Sequence, residues 1–427
     1  MDTTPDPMNP VKHAPRPNGE RISTILIAAQ QLSRQSRNSQ ASRDSRVVAA
    51  AMGQLMDTLA QALAHDAASV PQSVAEAAVR LSRRINHTQP PYDPMVSSLD
   101  DMNDTTDPTI FAAALTHGDA YDEQIRELAA AGADLSTAVR ELTTTDVRDA
   151  ADLFLDIHRT TRGVDGWVSI EIDPRLARDT DATVAEAKEL WLTVYRHNVL
   201  VKIPATTEGL PAITRTLAEG ISVNATLIFS PNRYREVIEA FFTGLEQARD
   251  NGHHLGRIQS VASFFVSRID TEVDARLDTV PGSDAKALRG QAALANARLA
   301  NGVYEELYTT ERWQALTAAG ATPQRPLWAS TSVKNLSYPD TTYVEQLVTF
   351  SGESIRRSAR ETLDRLSAAG IDLDDVYRTL ENEGVEKLTQ SWLDLLDTVE
   401  GRLAQAKGCA QGFVPVLEKP SGHTTTP

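Results

Sequence analysis

Short apolar runs alternate with longer amphipathic stretches through most of the chain, and this rhythm limits the fold more than any other feature. The runs are Trp167–Ile172, Val199–Ile203, Val223–Phe229, Ile258–Val266 and Leu327–Ser330. Each is short and apolar, as strands buried on both faces are. Helical periodicity predicts helices over Ala120–Ala131, Ala182–Tyr195, Leu210–Glu219, Arg233–Ala248, Val273–Leu277, Ala285–Leu307 and Thr310–Ala319. Three more are predicted over Gly352–Ala368, Leu373–Gly384 and Val385–Ala406. Strand–helix alternation of this length builds a parallel sheet covered by helices. The sequence holds neither G-x-G-x-x-G nor G-x-x-x-x-G-K-[ST], which weighs against a nucleotide-binding sheet. The expected class is therefore α/β, as a (β/α)8 TIM barrel.

The segment before the barrel reads differently. Met1–Glu20 holds five prolines and no apolar stretch, so it is neither a signal peptide nor a packed segment. Arg46–Ala64 and Ala75–Ile85 read as helical, and Asn86–Pro94 as a proline-rich loop. The expected organisation is a partly disordered, partly helical extension over 1–70, a barrel over 71–410 and a disordered tail over 411–427. A net charge of −16 argues against nucleic acid or an anionic membrane surface as the main partner. It leaves room for a phosphorylated substrate held by a few local cations. The single cysteine, Cys409, permits no internal disulfide and no cysteine zinc cluster; it fits a reducing cytoplasm. No apolar run approaches the ~18 residues of a membrane span.

Polar residues recur toward the C-terminal ends of the predicted strands. They are Glu171 on the first, Lys202 on the second, Asn224 and Thr226 on the third, Ser263 followed by Arg268 on the fourth, and Ser332 with Lys334 after the fifth. A lysine in a run such as Val199–Pro204 can simply carry its ammonium out to water. It can also be a Schiff-base lysine, whose amine must be desolvated or electrostatically tuned to act as a nucleophile. Similar exceptions on the neighbouring strands favour the second reading, because barrels build their active sites at this end. A buried lysine beside a carboxylate suits imine formation, in which an acid/base group removes water from the carbinolamine. Arg268 and Lys334 lie one strand-and-loop further on, where barrels often hold a phosphate. Arg268 could instead pair with Asp270 or Asp274, and Lys334 could be an ordinary loop lysine.

Several segments resemble the transaldolase family. They are Trp167-Val-Ser-Ile-Glu171-Ile-Asp-Pro174, Val201-Lys202-Ile-Pro-Ala205-Thr and Gly220-Ile-Ser-Val-Asn224-Ala-Thr226-Leu-Ile-Phe-Ser230. Ser260-Val-Ala-Ser263-Phe-Phe-Val-Ser-Arg268, Trp328-Ala-Ser-Thr-Ser332-Val-Lys334-Asn335 and Gly384-Val-Glu-Lys-Leu-Thr-Gln-Ser-Trp392 complete the series. It runs in order from about Asp107 to Leu403 and is most similar to the longer bacterial single-domain members. The resemblance implies transfer of a dihydroxyacetone unit between sugar phosphates, with no metal or organic cofactor. It implies that Lys202 forms the imine, and that Glu171 and Thr226 position the water that shuttles protons. Asn224 and Ser263 would bind the substrate, and Arg268, Ser332 and Lys334 its phosphate.

The chain departs from the family in three places. The family's first strand carries an aspartate before Leu-Ser-Arg, whereas the nearest match here, Val79-Arg80-Leu81-Ser82-Arg83, has no carboxylate. The family's Asn-Pro-Thr-Ile-Phe reads Asp107-Pro108-Thr109-Ile110-Phe111. The family's Thr-Val-Asn-Thr-Met-Pro segment is missing after Leu347. Asp107 either replaces the missing acid/base group or caps a helix starting at Pro108. The expected function is transaldolase-type transfer. Its rivals are a catalytically impaired barrel acting as a sugar-phosphate-binding or interaction protein, and a specialised aldolase or transaldolase of a biosynthetic pathway. Monomer and homodimer both remain open.

Overall fold

A computed structural model of the chain describes Leu115 and residues 121–335, 338, 339, 342–347 and 352–411. These belong to the unit Asp93–Pro427. The expected 1–70 extension, the helices expected at 46–64 and 75–85, Asp107 and residues 412–427 lie outside the described residues.

All five predicted strands form: β1 Val168–Glu171, β2 Val199–Pro204, β3 Val223–Ile228, β4 Ser260–Phe265 and β5 Arg325–Ala329. They pair in parallel in the order β1-β2-β3-β4-β5. Each strand lies beside the next in sequence, the arrangement of adjacent staves in a (β/α)8 barrel. The connecting helices are α1 Asp122–Ala130, α2 Leu135–Thr160, α3 Thr180–Val194, α4 Gly209–Ala218, α5 Pro231–Asp250 and α6 Ser267–Thr279. Next come α7 Ser283–Lys286, α8 Ala292–Leu307, α9 Glu311–Ala318, α10 Thr342–Gln346, α11 Glu353–Ala368 and α12 Leu373–Gln411.

Alternation along the strands sorts side chains onto two faces. Val168, Ile170, Val199, Val201, Ile203, Val223, Ala225 and Phe264 join helix residues such as Val194, Leu217 and Phe241 in the main core. On the other face, Leu200, Val261 and Leu327 form a separate apolar cluster with Trp167 packed against it. Two residues further along the same strands lie Lys202 and Ser263, so this face turns from apolar to polar toward the strands' C-terminal ends.

Several helices differ from expectation. The 26-residue α2 has no counterpart among the predicted elements. Its Thr143-Thr144-Thr145 run has low helix propensity. Two of those hydroxyls bond back to carbonyls four residues earlier, Thr143 to Val139 at 2.9 Å and Thr144 to Arg140 at 2.7 Å. Asp134 caps the N-terminus by accepting from the Thr137 amide at 2.7 Å, and burial of Val139, Leu142, Val147 and Ile157 supplies the rest. The helix expected over Ala285–Leu307 is instead two, α7 and α8, broken where Gly290 takes φ +69°. The two helices expected on either side of Gly384 are one, α12. There the glycine serves close packing: a Cβ on Gly384 would stand 2.9 Å from Leu227 Cδ2.

The turn from β2 into α4 is tightly built. The Gly209 amide donates to Thr206 Oγ1 at 2.9 Å, and that hydroxyl donates to the Ala177 carbonyl at 2.5 Å. A Cβ on Gly209 would fall 1.9 Å from the carbonyl oxygen of Pro204. Backbone must therefore move to admit even alanine. Gly209→Ala should destabilise the protein by about 1–3 kcal/mol, read as a lowered urea midpoint at unchanged slope.

Candidate active site

Strand register brings the central residues together. Glu171 is opposite Lys202 across β1 and β2, and Lys202 is opposite Asn224 across β2 and β3. Lys202 is 7% exposed and Glu171 5%, and the Lys202 Nζ lies 3.8 Å from Glu171 Oε2. A buried charge is costly without an opposite charge nearby, so the carboxylate on the adjacent strand explains how β2 tolerates its lysine. The geometry excludes the reading in which the ammonium merely extends into water.

Asn224 is fully buried and bridges three strands. Its Nδ2 donates to Ser169 Oγ at 3.0 Å, and its Oδ1 accepts from Ser263 Oγ at 2.8 Å. The chain Ser263–Asn224–Ser169 fixes the amide's orientation next to Lys202. Ser169 was not singled out in the sequence. The available signal was its position two residues before Glu171, on the same face. Thr226 lies on the Asn224 face of β3, opposite Pro204. Its Oγ1 is buried and has no hydrogen-bond partner among the described residues. Immediately after it, Leu227 has φ +58° at a register shift between Ala225 and Ile228. This left-handed backbone is uncommon for leucine and ends regular pairing just beyond Thr226.

Arg268, Ser332 and Lys334 follow the C-terminal ends of β4 and β5. Arg268 lies in the first turn of α6, its guanidinium 5.3 Å from the centre of the Phe265 ring. Ser332 and Lys334 are exposed after β5, and Lys334 Nζ donates to Ser332 Oγ at 2.7 Å. The two loops are joined. Val266 N donates to Ala329 O and Ser267 N to Ser330 O, both at 3.0 Å, and the Ser267 and Ser330 hydroxyls lie 3.1 Å apart.

A cavity of about 340 Å³ lies beside β1, with Arg140, Arg175, Glu186 and Trp392 in its wall. Glu171 also lines it, whereas Lys202, Asn224 and Thr226 do not. The convergence of polar groups, rather than this cavity, therefore marks the candidate site. Burial raises the Glu186 carboxyl above its usual range, opposed by the Arg140 charge. Among the described residues no three His, Cys, Asp or Glu side chains are grouped to hold a metal ion. No helix among them is long and apolar enough to cross a membrane.

A family model described as Transaldolase/Fructose-6-phosphate aldolase matches residues 95–399. The Val79–Ile85 segment, aligned above with the family's first strand, lies ahead of that match. Curated relatives are similarly named. A transaldolase of Saccharopolyspora erythraea is 56% identical over 326 residues, covering 71% of this chain and 88% of the relative. One of Arthrobacter sp. (strain FB24) is 57% identical, with the same coverage. One of Mycolicibacterium smegmatis is 53% identical, again over 71% of this chain and 88% of the relative.

Proposed function

The chain belongs to the transaldolase/fructose-6-phosphate aldolase family, and we propose that it transfers a three-carbon ketol unit between sugar phosphates through an imine on Lys202. The observation that carries this reading is the buried Lys202–Glu171 pair, 3.8 Å apart, with Asn224 opposite the lysine. The Lys202 amine attacks the ketone carbon of the donor and forms a carbinolamine. Loss of water then gives the protonated imine, which takes up the electron pair when the adjacent carbon–carbon bond breaks. Glu171 and Thr226 are proposed to hold the water that moves protons in these steps. A buried Thr226 Oγ1 on the Asn224 face, with no hydrogen-bond partner among the described residues, supports that assignment. Asn224 and Ser263 are proposed to bind donor hydroxyls.

Cleavage also needs a base for the hydroxyl proton of the bond being broken. Asp107 is proposed for it on the strength of the Pro108-Thr109-Ile110-Phe111 motif; the alternative reading of the sequence is that it only caps a helix expected to start at Pro108. The experiment that tests the function is borohydride reduction in the presence of fructose 6-phosphate, followed by peptide mass mapping. A stable adduct on Lys202 is the expected result, and its absence would overturn the reading. The second reading, a sugar-phosphate-binding barrel without turnover, is favoured by the acid at Asp107 where the family has an amide. It predicts protection by sugar phosphates without an adduct.

Arg268 and Lys334 are proposed to bind the substrate phosphate, with Ser332. Either residue changed to alanine should raise KM for phosphorylated sugars roughly 10- to 150-fold, the equivalent of the ~1.5–3 kcal/mol that a hydrogen bond to a charged group contributes. The comparison is with the same kinetics on unphosphorylated sugars. An unchanged preference for the phosphorylated form in both variants would contradict the assignment.

A further inference from the structure

The chain beyond β5 is fastened to the helix beyond β4 by two tyrosines. The Tyr343 hydroxyl donates to Asp270 Oδ2 at 2.8 Å, and the Tyr338 hydroxyl donates to Asp274 Oδ2. Both aspartates are on α6, one turn apart, and are 2% and 4% exposed. Each uses its other oxygen to hold the start of α8: Asp270 Oδ1 accepts from the Ala293 amide at 2.8 Å, and Asp274 Oδ1 from the Gly290 amide at 3.0 Å. Each carboxylate thus joins three pieces of backbone. The pairing with Arg268, open from the sequence, is not what occupies these oxygens.

The fit around Tyr338 is close. A Cβ on Gly290 would meet the Tyr338 ring at 2.9 Å, and the Tyr338 amide donates to the Asn335 carbonyl at 3.0 Å. The turn that follows Lys334 is therefore anchored within four residues of it. At its other end the same loop is tied to α6 by Ser267 and Ser330. Arg268 is in the first turn of α6, and Ser332 and Lys334 lie between the two fastenings. Burial pushes the Asp270 carboxyl up to about 6, against the hydrogen bonds from Ala293 and Tyr343. Two buried carboxylates one turn apart are an expensive way to fix a surface loop. Such construction suits a loop whose geometry must be held to a fraction of an ångström.

We infer that Asp270, Asp274, Tyr338 and Tyr343 are positioning residues that set the spacing of the phosphate subsite of a sugar-phosphate substrate, an inference that rests on the role proposed above for Arg268, Ser332 and Lys334. They act through the loop and do not touch the substrate. Removing one phenol hydroxyl leaves a buried carboxylate oxygen short of a donor and loosens the loop near Lys334.

Tyr338→Phe and Tyr343→Phe test this separately. The readouts are kcat and KM with fructose 6-phosphate, competitive inhibition by inorganic phosphate, and borohydride trapping with unphosphorylated fructose. The expected result is a KM and an inorganic-phosphate Ki raised about tenfold, with kcat and fructose trapping within about twofold of the parent. Equal losses with phosphorylated and unphosphorylated sugar would overturn the inference, because a general loss of structure moves both. No change in either variant would also overturn it. Should Tyr343→Phe fail to fold, the half-buried Tyr338 decides the question alone. A parent protein that forms no adduct with either sugar defeats the proposed function, and the inference with it. A competent parent matched by its variants defeats only the inference.

Discussion

Lys202→Arg should abolish both turnover and the borohydride-trapped adduct, a loss of roughly 10⁴-fold or more in kcat. Arginine keeps the positive charge, but its guanidinium stays protonated and is no amine nucleophile for a ketone. The substitution retains a cation beside Glu171, whose carboxylate lies 3.8 Å from the lysine nitrogen. The fold should therefore survive a change that removes the chemistry, and thermal unfolding of the variant serves as the control. A residual rate near that of the parent would take Lys202 out of the mechanism.

Glu171→Gln and Asp107→Asn should fail at different steps. Glu171 lies next to the amine across β1 and β2, so its loss should slow imine formation. Adduct formation and turnover should fall together by about 10²–10⁴-fold, as expected for removing a general acid/base group. Asp107→Asn keeps a side chain able to cap a helix. If the aspartate takes the hydroxyl proton during cleavage, the variant still yields the trapped adduct while cleavage falls by roughly 10²-fold. Single-turnover measurements of adduct and of released aldehyde separate the two steps. Unchanged or improved cleavage by Asp107→Asn would make the residue a cap or a defect, with the base elsewhere or absent.

The five strands and the polar residues that converge around Lys202 were legible for one reason. Runs such as Val199–Pro204 are apolar on both faces, so a lysine inside one stands out, as do Glu171, Asn224 and Thr226 on its neighbours. Register then places them side by side without further information. Ser169 was harder to read, because a small hydroxyl in a strand is unremarkable until its bond to Asn224 is seen. Helix α2 hid behind its threonines, since tertiary burial and the Asp134 cap override local propensity. The Tyr–Asp fastenings join residues 64 and 73 positions apart, and no local pattern encodes such pairs.

The contact between Leu227 and Gly384 links residues made far apart in time. A chain emerging from the ribosome delivers its N-terminal parts first, so β2 and β3 are complete while α12 is still to come. Leu227 holds a left-handed backbone next to Thr226, and the surface shaped to receive it is a glycine on the last helix. Arg178 and Arg233 also find partners there, in Asn382 and Glu381. The nascent chain can thus display its lysine strand early, but the seat of Thr226 is finished only when the closing helix has been released and has docked.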